Sequence, residues 1–222
     1  MQVYKIGAPE IAIAPLTSSI KSALYLGPTL WLVPGGSNIP ISVAVMARID
    51  NDLAANLTIA LTDERFGPLN HPDSNWAQLN TAGFYPKGAK IINVLKEDST
   101  DLATTAANYA SELEMELEAV NTVIGQFGIG SDGHIAGILP NSVATAETEA
   151  IVTGYEGTPF SRITLTFAGI RRVNTAFLIA TGSGKYLALD KLIHQDLPLN
   201  EQPAQILKQL NEAYVYNDVI GG

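Results

Sequence analysis

TLWLVPGGSNIPISVAVMARID, residues 29 to 50, reads as a strand, a glycine turn and a helix in immediate succession. Thr29 to Val33 is a short apolar run of strand length. Pro34-Gly35-Gly36-Ser37-Asn38 stops it, because proline has no N–H for a ladder and glycine opens turn conformations. Ile39 to Asp50 then carries a helical pattern. A strand that enters a helix through a short glycine loop is the first half of a parallel crossover unit, so this stretch already argues for an α/β chain.

The same grammar recurs on either side. Leu57 to Thr62 reads as a second strand, ending in the charged cluster Asp63-Glu64-Arg65 and a Pro- and Asn-containing loop that runs to Pro72. Ser74 is placed to cap a helix over Asn75 to Asn80. Lys90 to Val94 reads as a third short strand. Asp98, Ser99 and Thr100 offer caps for the longest helix, in which Leu102, Ala106, Ala110, Leu113 and Leu117 recur at three- to four-residue spacing. Glu112, Glu114, Glu116 and Glu118 load its other positions and read as a solvated face. Thr122 to Phe127 is the next strand and enters Gly128-Ile129-Gly130-Ser131-Asp132-Gly133-His134. Ile163 to Phe167 and Thr175 to Ala180 read as later strands, the second leading into Gly182-Ser183-Gly184-Lys185 and another helix. The expectation is an α/β fold on a parallel or mixed sheet, with residues 1–222 as a single domain.

Composition narrows the function. At 222 residues and 46% hydrophobic, the chain is long enough for one substantial core. No cysteine is present, which removes disulfides, thiolate metal sites and cysteine nucleophiles. Neither a secretory leader pattern nor a run approaching ~20 apolar residues occurs, so a cytoplasmic protein without membrane association is expected. With 22 acidic and 13 basic side chains, the formal charge of −9 disfavours nucleic acid and acidic membranes as partners. An anionic small molecule would need a local basic cluster, and four of the five arginines, Arg65, Arg162, Arg171 and Arg172, fall in or beside the motifs.

Glycine loops between strand and helix expose backbone N–H groups and the positive end of a helix dipole, the ordinary equipment for holding phosphate. Gly128, Gly130 and Gly133 have the spacing of a dinucleotide fingerprint, but the loop follows about the fourth strand instead of the first and carries Asp132 and His134. His134 is the one histidine of three that sits among glycines at a strand end, two residues from a carboxylate. It is the candidate for proton transfer, with helix capping as the competing role. His71, in a proline-flanked loop, and His194, near a helix end, read as structural or exposed. The three share no metal-ligand spacing, so no metal site is expected. The sequence contains neither a Gly-x-Ser-x-Gly elbow nor a Walker A loop.

Taken in this order, GGSNIP (Gly35 to Pro40), TDERFGPLNHPDSN (Thr62 to Asn75), GIGSDGHIAGILP (Gly128 to Pro140), RITLT (Arg162 to Thr166) and GSGK (Gly182 to Lys185) resemble the 6-phosphogluconolactonase family, which is similar to glucosamine-6-phosphate deaminases. The resemblance implies a Rossmann-like α/β fold of that type, a mostly parallel sheet with helices on both faces. It implies no cofactor, a phosphorylated sugar lactone as the small-molecule partner, and a monomer or homodimer. The implied reaction is hydrolysis of 6-phospho-D-glucono-1,5-lactone in the oxidative pentose phosphate pathway. By resemblance His134 is the general acid/base, and Asp132 orients it or binds a sugar hydroxyl. Arg65 contacts a polar or charged end of the substrate, with Asp63 and Glu64 shaping the site. Gly36, Ser37 and Lys185 hold phosphate, and Gly35 and Gly130 belong to the same substrate-binding loops. Arg162 is either a substrate contact or a structural arginine.

Two other readings compete. His134-Ile135-Ala136 is similar to the deaminase branch, but the glutamate expected there before proline is replaced by Leu139 ahead of Pro140. A sugar-phosphate-binding protein without catalysis would need the glycine loops and lysine alone. Asp132, His134 and Arg65 together exceed that requirement, and no basic arm or helix-turn-helix accompanies them.

Overall fold

Seven strands of this chain run the same way in one sheet, and that shared direction decides where a ligand can sit. The computed structural model describes residues 1–221. In chain order the elements are β1 (Gln2–Lys5), α1 (Ile13–Leu26), β2 (Thr29–Val33), α2 (Ile39–Ala47), α3 (Asn51–Ala54), β3 (Leu57–Leu61), β4 (Asp63–Arg65), α4 (Asn75–Thr81) and β5 (Lys90–Ile92). These are followed by α5 (Leu102–Ala119), β6 (Thr122–Phe127), β7 (Val152–Tyr155), β8 (Arg162–Leu165), α6 (Phe167–Ile170), β9 (Thr175–Ala180), α7 (Tyr186–His194) and β10 (Glu212–Asn217).

The large sheet has the order β1-β10-β9-β6-β2-β3-β5, with every neighbouring pair parallel. Every residue of β2 and β3 is buried, so both faces of the sheet are covered by the crossover helices and a smaller sheet. From β2 the chain winds outward to β3 and β5, whereas from β6 it winds the other way to β9 and β10. The winding therefore reverses between neighbouring β2 and β6. Loops leaving those two strands diverge to opposite sides and open a crevice at the carboxyl edge of the sheet. The smaller sheet, β4-β8-β7, is antiparallel and starts one residue beyond β3. It pairs Asp63 with Thr164 and Arg65 with Arg162, and so folds β4 across the mouth of that crevice.

A buried carboxylate fixes the turn that follows. Glu64 is fully buried, and its Oε1 accepts from the backbone N–H groups of Arg65 at 2.7 Å and Asn75 at 2.6 Å. Its Oε2 accepts from Ser74 Oγ at 2.8 Å and Trp76 N at 3.1 Å. Burial pushes this carboxyl above the usual carboxylate range, against four donors that favour the charged form. Glu64 thus joins β4 to the first turn of α4, where Ser74 caps the helix by accepting from Ala77 N at 3.1 Å, as the sequence led us to expect. Tyr109, buried on α5, donates its hydroxyl to Leu61 O at 2.5 Å and ties that helix to the end of β3.

Strands read over Thr29–Val33, Thr122–Phe127 and Thr175–Ala180 are found at those bounds. Others needed correction. The helix read as reaching Asp50 ends at Ala47, because Asp50 is extended (ψ 146°) and starts the single turn α3. The strand read over Lys90–Val94 stops at Ile92, and that over Ile163–Phe167 is shifted to Arg162–Leu165. Thr166 leaves it to cap α6 through Gly169 N at 3.2 Å. The cap of α5 is Asp101, whose Oδ1 accepts from Thr104 N at 2.8 Å, while Ser99 instead accepts from Lys96 N. The acidic face of α5 is not wholly solvated. Glu116 is buried, accepts from Thr58 Oγ1 at 2.5 Å and pairs with Lys90, which anchors α5 to β3 and β5.

Replacing Glu64 by alanine leaves three backbone N–H groups and one hydroxyl without their acceptor. Glu64→Ala is expected to lower the unfolding free energy by about 3 kcal/mol, measured by urea titration. A midpoint equal to that of the wild type would mean that water serves the donors equally well.

Candidate active site

The cleft at the reversal between β2 and β6 has a volume of about 140 Å³ and is walled by four segments. The loop after β2 supplies Gly35, Gly36 and Ser37. β4 and the start of α4 supply Asp63, Arg65 and Asn75. The loop after β6 supplies Gly128 and His134, and the turn after β9 supplies Lys185. Residues from 35 to 185 thus converge on one hollow because parallel strands deliver their carboxyl ends to one edge. Among the described residues, no group of three or more His, Asp or Glu side chains is gathered for a metal ion.

One end of the cleft is lined by the glycine loop and a lysine. Gly36 has φ 62°, a left-handed conformation that glycine adopts freely, and it turns the chain into α2. Gly35 must be glycine for another reason, since a Cβ there would stand 2.0 Å from Asn75 Oδ1. The turn over Gly36–Asn38 lines the hollow and leads directly into the nine residues of α2, so the positive end of that helix dipole begins at its wall. Across from that turn Lys185 donates to Ser37 Oγ at 3.2 Å. Burial pushes the Lys185 ammonium below the ordinary lysine value, and the Asp218 carboxylate partly opposes that shift. Asp218 also accepts from Gly182 N at 3.0 Å and so holds the turn that presents the lysine.

At the other end lies an imidazole with one nitrogen already taken. Asp132 Oδ1 is 2.7 Å from His134 Nδ1 and also accepts from His134 N at 3.2 Å. With Nδ1 as donor to that carboxylate, Nε2 is the nitrogen left with a lone pair. The hydrogen bond from His134 holds the Asp132 carboxyl below the usual carboxylate range. Gly130 makes this pair possible, because a Cβ on it would lie 2.1 Å from His134 Nδ1 and 2.4 Å from Asp132 Oδ1.

Asp63 and Arg65 also line the cleft. Burial pushes the Asp63 carboxyl above the usual carboxylate range, opposed by the Thr62 hydroxyl at 3.1 Å and by nearby His134, Arg65 and Arg162. Arg65 spans 3.0 Å to Asp73 O and sits with its guanidinium 5.1 Å from the centre of the Phe160 ring, a cation–π contact that sets its direction.

Of the residues singled out in the sequence, Gly35, Gly36, Ser37, Asp63, Arg65, His134 and Lys185 meet in the wall of this cleft. Gly130 and Asp132 stand behind His134. Arg162 lies opposite Arg65 in the small sheet and donates to Phe160 O at 2.8 Å, away from the wall. Sequence reasoning passed over Asn75 and Ala136. Asn75 closed a quoted motif without a role, although it donates to Asp63 O at 2.9 Å. Ala136 adopts φ 50°, which an alanine code does not announce. His71 Nε2 is 2.9 Å from the backbone carbonyl of Arg65 and His194 Nδ1 is 3.0 Å from Asp190, and neither histidine is in the cleft wall.

Comparison with known proteins follows these residues. The family model described as glucosamine-6-phosphate isomerases/6-phosphogluconolactonase matches residues 15–216. The chain is 26% identical over 163 residues to a human 6-phosphogluconolactonase, covering 69% of this chain and 62% of that protein. It is 29% identical over 159 residues to one from Borreliella burgdorferi, covering 67% and 66%, and 31% identical over 138 residues to one from Streptomyces coelicolor, covering 55% and 53%. The matched stretches thus span less than two thirds of these relatives' own lengths. Among solved structures, the fold is shared with a 6-phosphogluconolactonase from Shewanella baltica at a TM-score of 0.81 and 21% identity, covering 98% of this chain and 97% of that one. It is shared also with a monomeric glucosamine-6-phosphate deaminase at 0.74 and 19%, covering 99% and 98%. A family match that runs through every segment of the cleft wall establishes that this chain belongs to the glucosamine-6-phosphate isomerase/6-phosphogluconolactonase family.

Proposed function

We propose that this protein hydrolyses 6-phospho-D-glucono-1,5-lactone to 6-phosphogluconate. The observation that carries the reading is the pairing, in one cleft, of an anion cradle with a histidine whose Nδ1 is held by Asp132 at 2.7 Å. The substrate phosphate lies against the Gly35–Ser37 backbone and Lys185, where N–H groups, a helix dipole and one ammonium replace its water. That anchor directs the lactone carbonyl toward His134. Nε2 takes a proton from a water as its oxygen bonds to C1, forming a tetrahedral oxyanion. The C1–O5 bond then breaks, and the imidazolium returns the proton to the departing ring oxygen. One water is consumed, and a carboxylic acid and a hydroxyl are produced.

Asp132 keeps the imidazole in the tautomer with Nε2 free and stabilises its charged form. Arg65, a cation of the cleft wall, lies where it can answer the oxyanion or a hydroxyl of the sugar, and Asp63 accepts from a hydroxyl. Deaminase chemistry is the less supported reading. The position before Pro140 is Leu139, packed against the hydrophobic core, so no carboxylate stands there to assist the histidine.

Hydrolysis of freshly made lactone, corrected for its spontaneous opening, tests the proposal. His134→Ala is expected to lower kcat about 10²- to 10⁴-fold with folding intact. A folded wild type that does not accelerate the reaction would sink the reading. Gly130→Ala removes no catalytic group but pushes a methyl into the His134–Asp132 pair and displaces it, so kcat should fall about ten- to a hundred-fold while affinity for 6-phosphogluconate is kept. Unchanged kcat would show that the His134–Asp132 pair is not needed in this geometry.

Lys185 sets an alkaline limit. Its protonated form binds phosphate, and its pKa is lowered, so affinity for 6-phosphogluconate is present below that pKa and is lost as pH rises through it, before the ordinary lysine value of ~10.4. Calorimetric titration across pH should show this limb in the wild type. In Lys185→Met it should be absent and affinity about ten- to a hundred-fold weaker. An identical pH profile for the two proteins would remove Lys185 from the cradle.

A further inference from the structure

The glycine loop follows β2, the His134 loop follows β6 and the Lys185 turn follows β9. One buried side chain touches the base of all three. Asn38 closes the glycine loop and is almost wholly buried. Its Nδ2 donates to the carbonyl of Ile179, the penultimate residue of β9, at 3.0 Å. Its Oδ1 accepts from Nε2 of Gln126, the penultimate residue of β6, at 3.2 Å. Gln126, also buried, accepts at Oε1 from Ser42 Oγ of α2 at 3.1 Å, which returns the network to the helix that the glycine loop starts. The Asn38 amide also underlies the first residue of the His134 loop, since a Cβ on Gly128 would come within 3.0 Å of Nδ2.

The Ile179 carbonyl can only accept, and this fixes every orientation in the chain of bonds. Nδ2 must face Ile179, Oδ1 must face Gln126, and the Gln126 oxygen must face Ser42. Each buried side-chain nitrogen and oxygen of Asn38, Ser42 and Gln126 has at least one partner. Such a network in a low-dielectric interior resists displacement, because moving one member strands the others without partners. Asn38 also lines the cleft, and its carboxamide oxygen and one of its two amide N–H groups are committed to Gln126 and Ile179.

We propose that Asn38 is a positioning residue whose carboxamide fixes the spacing between the phosphate cradle and His134. Its two arms have separate effects. The bond to Ile179 ties the glycine loop to the strand that carries Lys185, and so serves the grip on phosphate. The bond to Gln126 ties the glycine loop to the strand that carries His134, and so serves turnover. The inference rests on the lactonase reading for its catalytic arm alone.

The test compares wild type with Asn38→Ala, Asn38→Ser and Gln126→Met, measuring kcat and KM on the lactone, calorimetric affinity for 6-phosphogluconate and inorganic phosphate, and melting temperature. Gln126→Met, similar in volume, is expected to lower kcat about ten- to a hundred-fold while the affinities stay within about two-fold. Asn38→Ala should lower both kcat and affinity by about ten-fold or more. Asn38→Ser, which retains a hydroxyl, serves if alanine prevents folding, and should show the same pattern in smaller measure. Variants that melt lower yet keep wild-type kcat and affinities would overturn the proposal, as would Gln126→Met moving kcat and affinity equally. If the wild type does not hydrolyse lactone, the lactonase reading fails by itself. The positioning role is then judged on phosphate affinity, and Asn38→Ala binding inorganic phosphate as the wild type does would end it.

Discussion

Parallel strands cannot be joined by tight turns, so each connection must cross the sheet and every strand delivers its carboxyl end to the same edge. In this chain that constraint places the ends of β2, β6 and β9 side by side. The reversal of winding between β2 and β6 then parts the loops and leaves a hollow that no side chain of the core fills. The rest follows from the hollow. The helix after β2 points its amino end there, the antiparallel β4 is folded across its mouth, and groups more than a hundred residues apart in sequence become neighbours. Glu64, buried beneath β4, is the internal fastening that keeps this cover in place.

How much of this was legible in the sequence depended on how local the signal was. The central strands β2, β6 and β9 are continuous apolar runs ended by glycine, and they were read at their observed bounds. The strands at one side of the sheet, β1 and β10, were missed. β1 is QVYK and mostly exposed, while β10 is EAYVYN with its charged end at the surface, so neither has the unbroken apolar code of a strand buried on both faces. Helix α1 carries Pro15 near its start and no side-chain cap, which hides its beginning. β4 reads as a cluster of charges because its pairing with β8 lies about a hundred residues away. Among the candidate site residues, glycines and His134 are marked by unusual composition. The importance of Asn38 and Gln126 lies only in what they touch across the sheet, and no short stretch of sequence contains that information.

The chain is strongly acidic overall, yet the cleft end proposed for the phosphate is lined by the glycine loop, Ser37 and Lys185. Fixed dipoles require no long flexible side chains to be ordered, and they stay in place when the site is empty. Lys185 is half-buried, which lowers its pKa, while the Asp218 carboxylate favours the charged ammonium, as an anion held beside it would.

The position of β10 also bears on how the molecule is assembled. Among the described residues β1 pairs with β10 alone, placing Gln2 opposite Tyr214 and Lys5 opposite Asn217. During synthesis β1 therefore has no strand beside it until β10 has emerged. Such a distant pairing is slow to close and leaves an open strand edge meanwhile. Asp218, one residue past β10, is also the group that fastens the Lys185 turn through Gly182. Completion of that sheet edge and the setting of the Lys185 turn thus wait on the same segment. The His134 loop also waits on residues beyond 200, since Gly133 O accepts from Ala204 N at 3.1 Å, so both sides of the cleft are fastened by the last part of the fold to emerge.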